Sequence, residues 1–210
     1  KLRRSVHPLI FVAVSIAAVF ALHNSTFWSI WAEIFYGSLG RGIVFAGAFF
    51  LLCCGLVSIF AFNWLLRPLI AMLFVLSAVT SFYMDRLGVV IDREMIQNAL
   101  STTITEGKHL VTGPLVIWVC LAGLLPAVLV SYIQLSDRNF IKAVWQNMLT
   151  FLLCAVGFIG LITTDLKGNA SILRSRIDLK SSFQPLAPIV ESFRYVAMLT
   201  RSATLEFSEI

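Results

Sequence analysis

Charge is what this chain has least of. Asp, Glu, Lys and Arg make up 13% of its 210 residues, against 59% apolar ones, and none stands near the middle of a long apolar run. The shortage excludes an ordinary soluble domain of this size, and the uncharged run centres argue against a proton relay or an ion pathway, hence against a small transporter. Also missing are a Cys-x-x-Cys pair, a His-Glu-x-x-His motif, a Gly-rich phosphate loop and a nucleophile set beside a base. No catalytic residue is therefore assigned. Cys53, Cys54, Cys120 and Cys154 all fall inside apolar runs, where a thiol behaves as a small hydrophobe and says nothing of redox compartment. His109 has Asp85, Asp92 and Glu106 within reach in sequence but without ligand spacing, so no metal is assigned either. The net charge of +5 comes with no nucleic-acid motif; a positive-inside topology accounts for it, and nucleic acid is discarded as a partner.

What is there is apolar length. Five runs, roughly 6–22, 42–62, 65–83, 115–133 and 144–163, approach the ~20 residues needed to cross a bilayer core, and the first reads as a span rather than a signal peptide. The expected fold class is all-α integral membrane, with five transmembrane helices. An odd number puts the two ends on opposite sides. Lys1, Arg3, Arg4, Arg67, Arg138 and Lys142 then share one side with a single acid, Asp137, whereas the other side offsets Arg41, Arg86, Arg93 and Lys108 with Glu33, Asp85, Asp92, Glu94 and Glu106. The basic side, with the N-terminus, is expected in the cytoplasm. Trp28, Trp31, Trp64, Trp118 and Trp145 are expected at the interfaces, as are His7 and His23 at the two ends of span one. Pro68 is placed in the first turn of span three and Pro126 at a kink inside span four. Ala13, Ala17 and Ala21, and Gly157 with Gly160, are candidates for close helix contact.

The longest interval between spans, residues 84–112, gathers more carboxylates than any other. Asp92 is a good N-cap, Glu94 suits a first turn and Gly107 a stop, which predicts a helix over about 93–106. On it Asn98, Thr102 and Glu106 recur at every fourth position and drift by only about 40° per step, forming a polar ridge beside an apolar stripe of Ile96, Leu100 and Ile104. Such a helix lies in the membrane surface. Spacing alone leaves two readings open, a solvated face or a binding ridge.

After Thr163 the hydropathy falls. Residues 165–182 are polar and basic, and Phe183-Gln-Pro-Leu-Ala-Pro188 leads to a predicted helix over 189–201 with Ile189, Phe193, Val196 and Thr200 on one face. The domain plan is a five-span unit over 1–165, followed by a linker with an amphipathic bridging helix over 166–210. The chain is expected to continue beyond both ends, since it lacks an initiating Met and this last helix has nothing of its own to pack on.

The run from Ser81 to Asn98, above all Gly88-Val-Val-Ile-Asp92 followed by Met95-Ile-Gln-Asn98, together with Leu66-Arg-Pro-Leu69, resembles the membrane domain of the lipid A phosphoethanolamine transferases, the group that includes the mobile colistin resistance enzymes. The resemblance implies a multi-pass protein of the bacterial inner membrane, N-terminus cytoplasmic, tied to a periplasmic alkaline-phosphatase-like domain. That domain would carry zinc and a threonine nucleophile and pass phosphoethanolamine from phosphatidylethanolamine to lipid A, the modification behind polymyxin and colistin resistance. None of its residues stand in this sequence, so residues 1–210 alone are expected to be inactive and to need no cofactor. The resemblance also implies lipid-substrate binding by Asn98, Thr102 and Glu106, the same three residues as the ridge, and favours binding over a solvated face. Ser101 and Thr103 depart from the family's more polar or acidic choices, and Gln184 departs from its Asn-Pro pair, so no function is carried onto the tail. The rival reading is a non-enzymatic membrane anchor or assembly module.

Overall fold

The computed structural model describes residues 5–88, 90, 94–97 and 110–208. The helices among them are α1 (Pro8–Leu22), α2 (Ser25–Ile34), α3 (Leu39–Ile59), α4 (Asn63–Leu87), α5 (Gly113–Tyr132), α6 (Phe140–Thr163), α7 (Leu166–Ser175), α8 (Ile177–Ser181) and α9 (Leu186–Ser208). Four of them, α3 to α6, are each long and apolar enough to cross a membrane. The fifteen residues of α1 reach that standard only together with α2, from which they are bent by 75°. Where five spans were expected, the described residues hold four continuous helices of spanning length and one bent pair, which makes a fifth only when the pair is counted as one span.

Helix ends follow local chemistry. His7 caps α1, its Nδ1 accepting from the Leu9 N–H, with Pro8 in the first turn where a missing donor costs nothing. Gly88 stops α4 in the left-handed region at φ 65°. Because α4 already starts at Asn63, Pro68 lies inside the helix rather than in its first turn. The expected distortion of span four takes the form of a π turn, Val119–Leu124, immediately before Pro126. In an unbroken α-helix the N–H of residue 126 would donate to the Ala122 carbonyl, and proline has none. His23 Nε2 donates to that oxygen instead, at 3.1 Å, from the end of α1. His23 is 2% exposed, so it is no interfacial residue; the carbonyl stranded by Pro126 draws it inside.

Helix α6 packs along α3 and α5 along α4, while α1 touches both α3 and α4. A Cβ on Gly55 would stand 2.9 Å from that of Cys154, and one on Gly157 would stand 2.8 Å from Leu51 Cδ1, so two glycines let α3 and α6 close. Gly160 meets nothing within 4 Å. Ala17 and Ala21 are exposed, so of the alanine stripe of α1 only Ala13 packs against the core. The core is aromatic: Phe20, Phe27, Phe35, Phe45 and Phe49 are buried, and with Trp28 and Trp31 between Phe27 and Phe35 they run ring to ring across α1, α2 and α3. Trp28 and Trp31 belong to the same packing, each donating its indole N–H at 3.0 Å to a backbone carbonyl, of Phe20 and of Gly42. Trp64 and Trp145 are exposed, as interfacial anchors should be.

The loops sort onto two ends of the bundle. At the basic end Val6 pairs with the 134–136 backbone, and Arg138 donates to the Ala61 carbonyl and to Gln146. At the other end stand α2, the close of α4, and α7 with α8.

Candidate functional site

Asn98, Thr102 and Glu106 lie outside the described residues, as do Asp92 and His109. Of the predicted helix over 93–106, residues 94–97 are described and helical. The structure does give the frame from which this loop hangs. Gly88 ends α4 on one side, and Thr112 caps α5 on the other, accepting from the Leu115 N–H. The Tyr83 hydroxyl donates to the Leu110 carbonyl at 2.9 Å, so the two feet of the loop are tied together.

Beside those feet the end of the bundle is hollowed. A cavity of about 930 Å³ opens between α2, the last turn of α4 and α8, lined by Ser25, Thr26, Ser29, Met84, Asp85 and Asp178, with Gly88 and Val90 at its edge. Asp85 is held by two hydroxyls from the first turn of α2, those of Ser25 and of Thr26 (2.6 Å). The N-terminal end of α2 favours its negative charge. Across the hollow, Arg176 grips Asp178 through Nε and Nη2 at 3.0–3.2 Å and reaches Glu33 at 3.2 Å through Nη1. Hydrogen bonding from Arg176 holds the Asp178 carboxyl below its ordinary range. The hollow thus offers carboxylates that attract a cation, beside hydroxyl oxygens whose protons already go to Asp85 and to the Thr26 carbonyl and which can still accept, a set that suits the ammonium of a headgroup. Asp85 was legible as part of an acidic loop, but its pairing with Ser25 and Thr26 was not.

The tail is seated where sequence gave it no role. Phe183 is 1% exposed, its ring centroid 5.1 Å from those of Phe20, Phe27 and Phe49. Gln184 is fully buried. Its N–H donates to Asn24 Oδ1 at 2.8 Å, its carbonyl accepts from Asn24 Nδ2 at 3.3 Å, its Oε1 accepts from the Thr80 hydroxyl at 3.0 Å, and its Nε2 points to Met84 Sδ at 3.2 Å. Asn24 also donates to Val19. The available signal was an apolar Phe-Gln-Pro-Leu-Ala-Pro run inside a polar stretch. Its partner, 160 residues earlier, has no local signature.

Comparison with known proteins agrees with this architecture. The family model for phosphoethanolamine transferase EptA/EptB matches residues 49–199. Phosphatidylethanolamine transferase Mcr-1 of Escherichia coli is 29% identical over 193 residues, 89% of this chain and 35% of that protein. Phosphoethanolamine transferase EptA of Escherichia coli K12 is 26% identical over 136 residues, 64% of this chain and 25% of that protein. Among solved structures, the integral membrane lipooligosaccharide phosphoethanolamine transferase A from Neisseria meningitidis superposes with a TM-score of 0.85 at 19% identity, covering 95% of this chain and 38% of that one. The last likeness concerns the fold. The matches cover between a quarter and little more than a third of the length of these relatives.

Proposed function

The chain belongs to the phosphoethanolamine transferase EptA/EptB family, and from that membership we propose that it is the membrane domain of an enzyme that moves phosphoethanolamine from phosphatidylethanolamine to lipid A. Residues 1–165 are the spanning unit in the bacterial inner membrane, and residues 166–210 lead toward a periplasmic catalytic domain. The N-terminus faces the cytoplasm, and the hollow with its loop faces the periplasm. Zinc and the nucleophile belong in this reading to the catalytic domain. Among the described residues no three His, Cys, Asp or Glu side chains gather as a metal would require.

The family match over residues 49–199 carries the proposal, because it takes in the loop after α4. Phosphatidylethanolamine presents an ammonium and a phosphodiester. Glu106 pairs with the former, while the Asn98 amide and the Thr102 hydroxyl donate to the latter. The hydroxyl-lined hollow at the loop's feet supports this assignment by keeping a polar headgroup's surroundings at the same end of the bundle.

In the full-length enzyme, Glu106→Gln keeps the shape and removes the charge. Losing a charge-assisted hydrogen bond costs about 1.5–3 kcal/mol, roughly tenfold or more in turnover at subsaturating lipid donor. Asn98→Ala and Thr102→Ala each remove a neutral donor and cost about 0.5–1.5 kcal/mol. Glu94→Gln, off the ridge, leaves activity near that of the parent. Transfer by Glu106→Gln at the parent rate, with equal amounts of folded enzyme, would return the loop to a solvated interfacial helix.

A further inference from the structure

The segment after α6 reads as a linker in sequence, yet it is fastened to the bundle at three separate places. Asp165 pairs with Arg41 at the start of α7, Arg176 pairs with Glu33 before α8, and Gln184 is locked to Asn24 just before α9. A flexible tether would be exposed and rich in Gly or Ser. Here Leu179, Phe183, Gln184 and Ala187 are all at most 4% exposed. We propose that the docked segment 179–187 is a rigid mount that fixes the direction in which α9 leaves the bundle, with Asn24 as the positioning residue that holds it.

Asn24 holds the backbone of residue 184 rather than its side chain, accepting from the N–H with Oδ1 and donating to the carbonyl with Nδ2. It can do so because α1 ends at Leu22 and α2 begins at Ser25 after a 75° bend, which leaves Asn24 in the corner with its amide buried. No slack follows the lock. Only Pro185 separates Gln184 from α9, whose first turns are themselves seated, with Ala187, Pro188 and Glu191 buried. The 23 residues of α9 make a lever about 34 Å long. A tilt of about 10° at the mount moves its far end by about 6 Å, enough to separate reacting groups that must meet within about 3.5 Å. The consequence for catalysis rests on the function proposed above, whereas the mount itself does not.

The test is a distance measurement in the full-length enzyme in lipid nanodiscs. Nitroxides are attached through ketone-bearing unnatural amino acids at Ile43 on α3 and Leu199 on α9, both exposed, and read by double electron–electron resonance. The parent gives one narrow distribution. Asn24→Ala at least doubles its width. Asn24→Asp keeps the acceptor and the shape but sets an oxygen against the Val19 and Gln184 carbonyls, and broadens it to an intermediate degree. Gln184→Ala, which leaves both Asn24 bonds in place, changes it least. Helix content and melting behaviour are recorded for each, and Asn24→Asp supplies the answer if the alanine variant does not fold. A distribution as narrow as the parent's in both Asn24 variants overturns the mount. In the same samples kcat falls severalfold for the Asn24 variants with KM for phosphatidylethanolamine unchanged, since the loop is untouched. Broadening with an unchanged kcat overturns the positioning role. A parent enzyme that transfers no phosphoethanolamine overturns the proposed function, and the distance arm then still decides the mount.

Discussion

Replacing His23 by Phe tests whether one side chain stands in for the backbone donor that Pro126 removes. The ring keeps its place, 6.0 Å from that of Phe74, but the Nε2–H that serves the Ala122 carbonyl is lost. That carbonyl is part-buried, and stranding a buried acceptor costs about 1–3 kcal/mol. Interhelical hydrogen bonds in membranes are measured at about 0.6 kcal/mol on average and up to about 1.7, so the lower half of the range is expected. The decisive variant is Pro126→Ala, which restores an N–H four residues beyond Ala122. In that background His23→Phe strands nothing and costs about 1 kcal/mol less, a coupling read from the double-mutant cycle. Equilibrium unfolding in mixed detergent micelles, followed by tryptophan fluorescence and helical circular dichroism, supplies the four free energies. Costs that add to within about 0.3 kcal/mol would refute the argument that histidine and proline answer one another.

Two further outcomes are expected. In a background with Cys53, Cys54, Cys120 and Cys154 replaced, a cysteine at Tyr36 labels with an impermeant thiol reagent in intact spheroplasts and one at Asn139 does not, both positions being exposed at opposite ends of the bundle; the reverse pattern defeats the orientation. Asp178 contributes stability above its unfolded pKa, ordinarily near ~3.9, and because Arg176 depresses its folded value that contribution is lost as pH falls through the folded value. The melting temperature therefore drops between about pH 5 and 2 more steeply in the parent than in Asp178→Asn, and equal slopes would show the pair contributes nothing.

The spans were legible because a run such as 144–163 can hardly be anything else in water or lipid, and the Gly157 contact because small residues are what close packing uses. The break after Leu22 was not, since His-Asn-Ser-Thr reads as an ordinary exit and only the bond from His23 to a residue 99 positions away shows it folded inward. The tail failed for a related reason. Its charges predicted exposure correctly for Lys167 and Arg174, but Phe183 and Gln184 take their environment from all of α1 to α4. Helix α9, predicted over 189–201, begins at Leu186 because the seated Pro185 starts it early. Phe193 and Val196, expected on one apolar face, are exposed, while Glu191 is the residue turned inward. Residue types and spacing singled out the ridge, which lies outside the described residues, whereas the hollow at the loop's feet arises from three elements that sequence order keeps far apart.

Helix α1 has a mechanical consequence for the lipid around it. Fifteen residues rise about 22 Å, against a hydrocarbon thickness of about 30 Å, while α3 and α4, at 21 and 25 residues, are long enough to match it. A span that falls short is met by thinning of the adjacent leaflets, at a fraction of a kcal/mol for each ångström. Thinning of the membrane along the flank of α1, beside the corner where α2 turns away, is the consequence expected of so short a helix. Lipids in such a dimple would be elastically strained, and one leaving it would leave a stressed bilayer rather than a relaxed one.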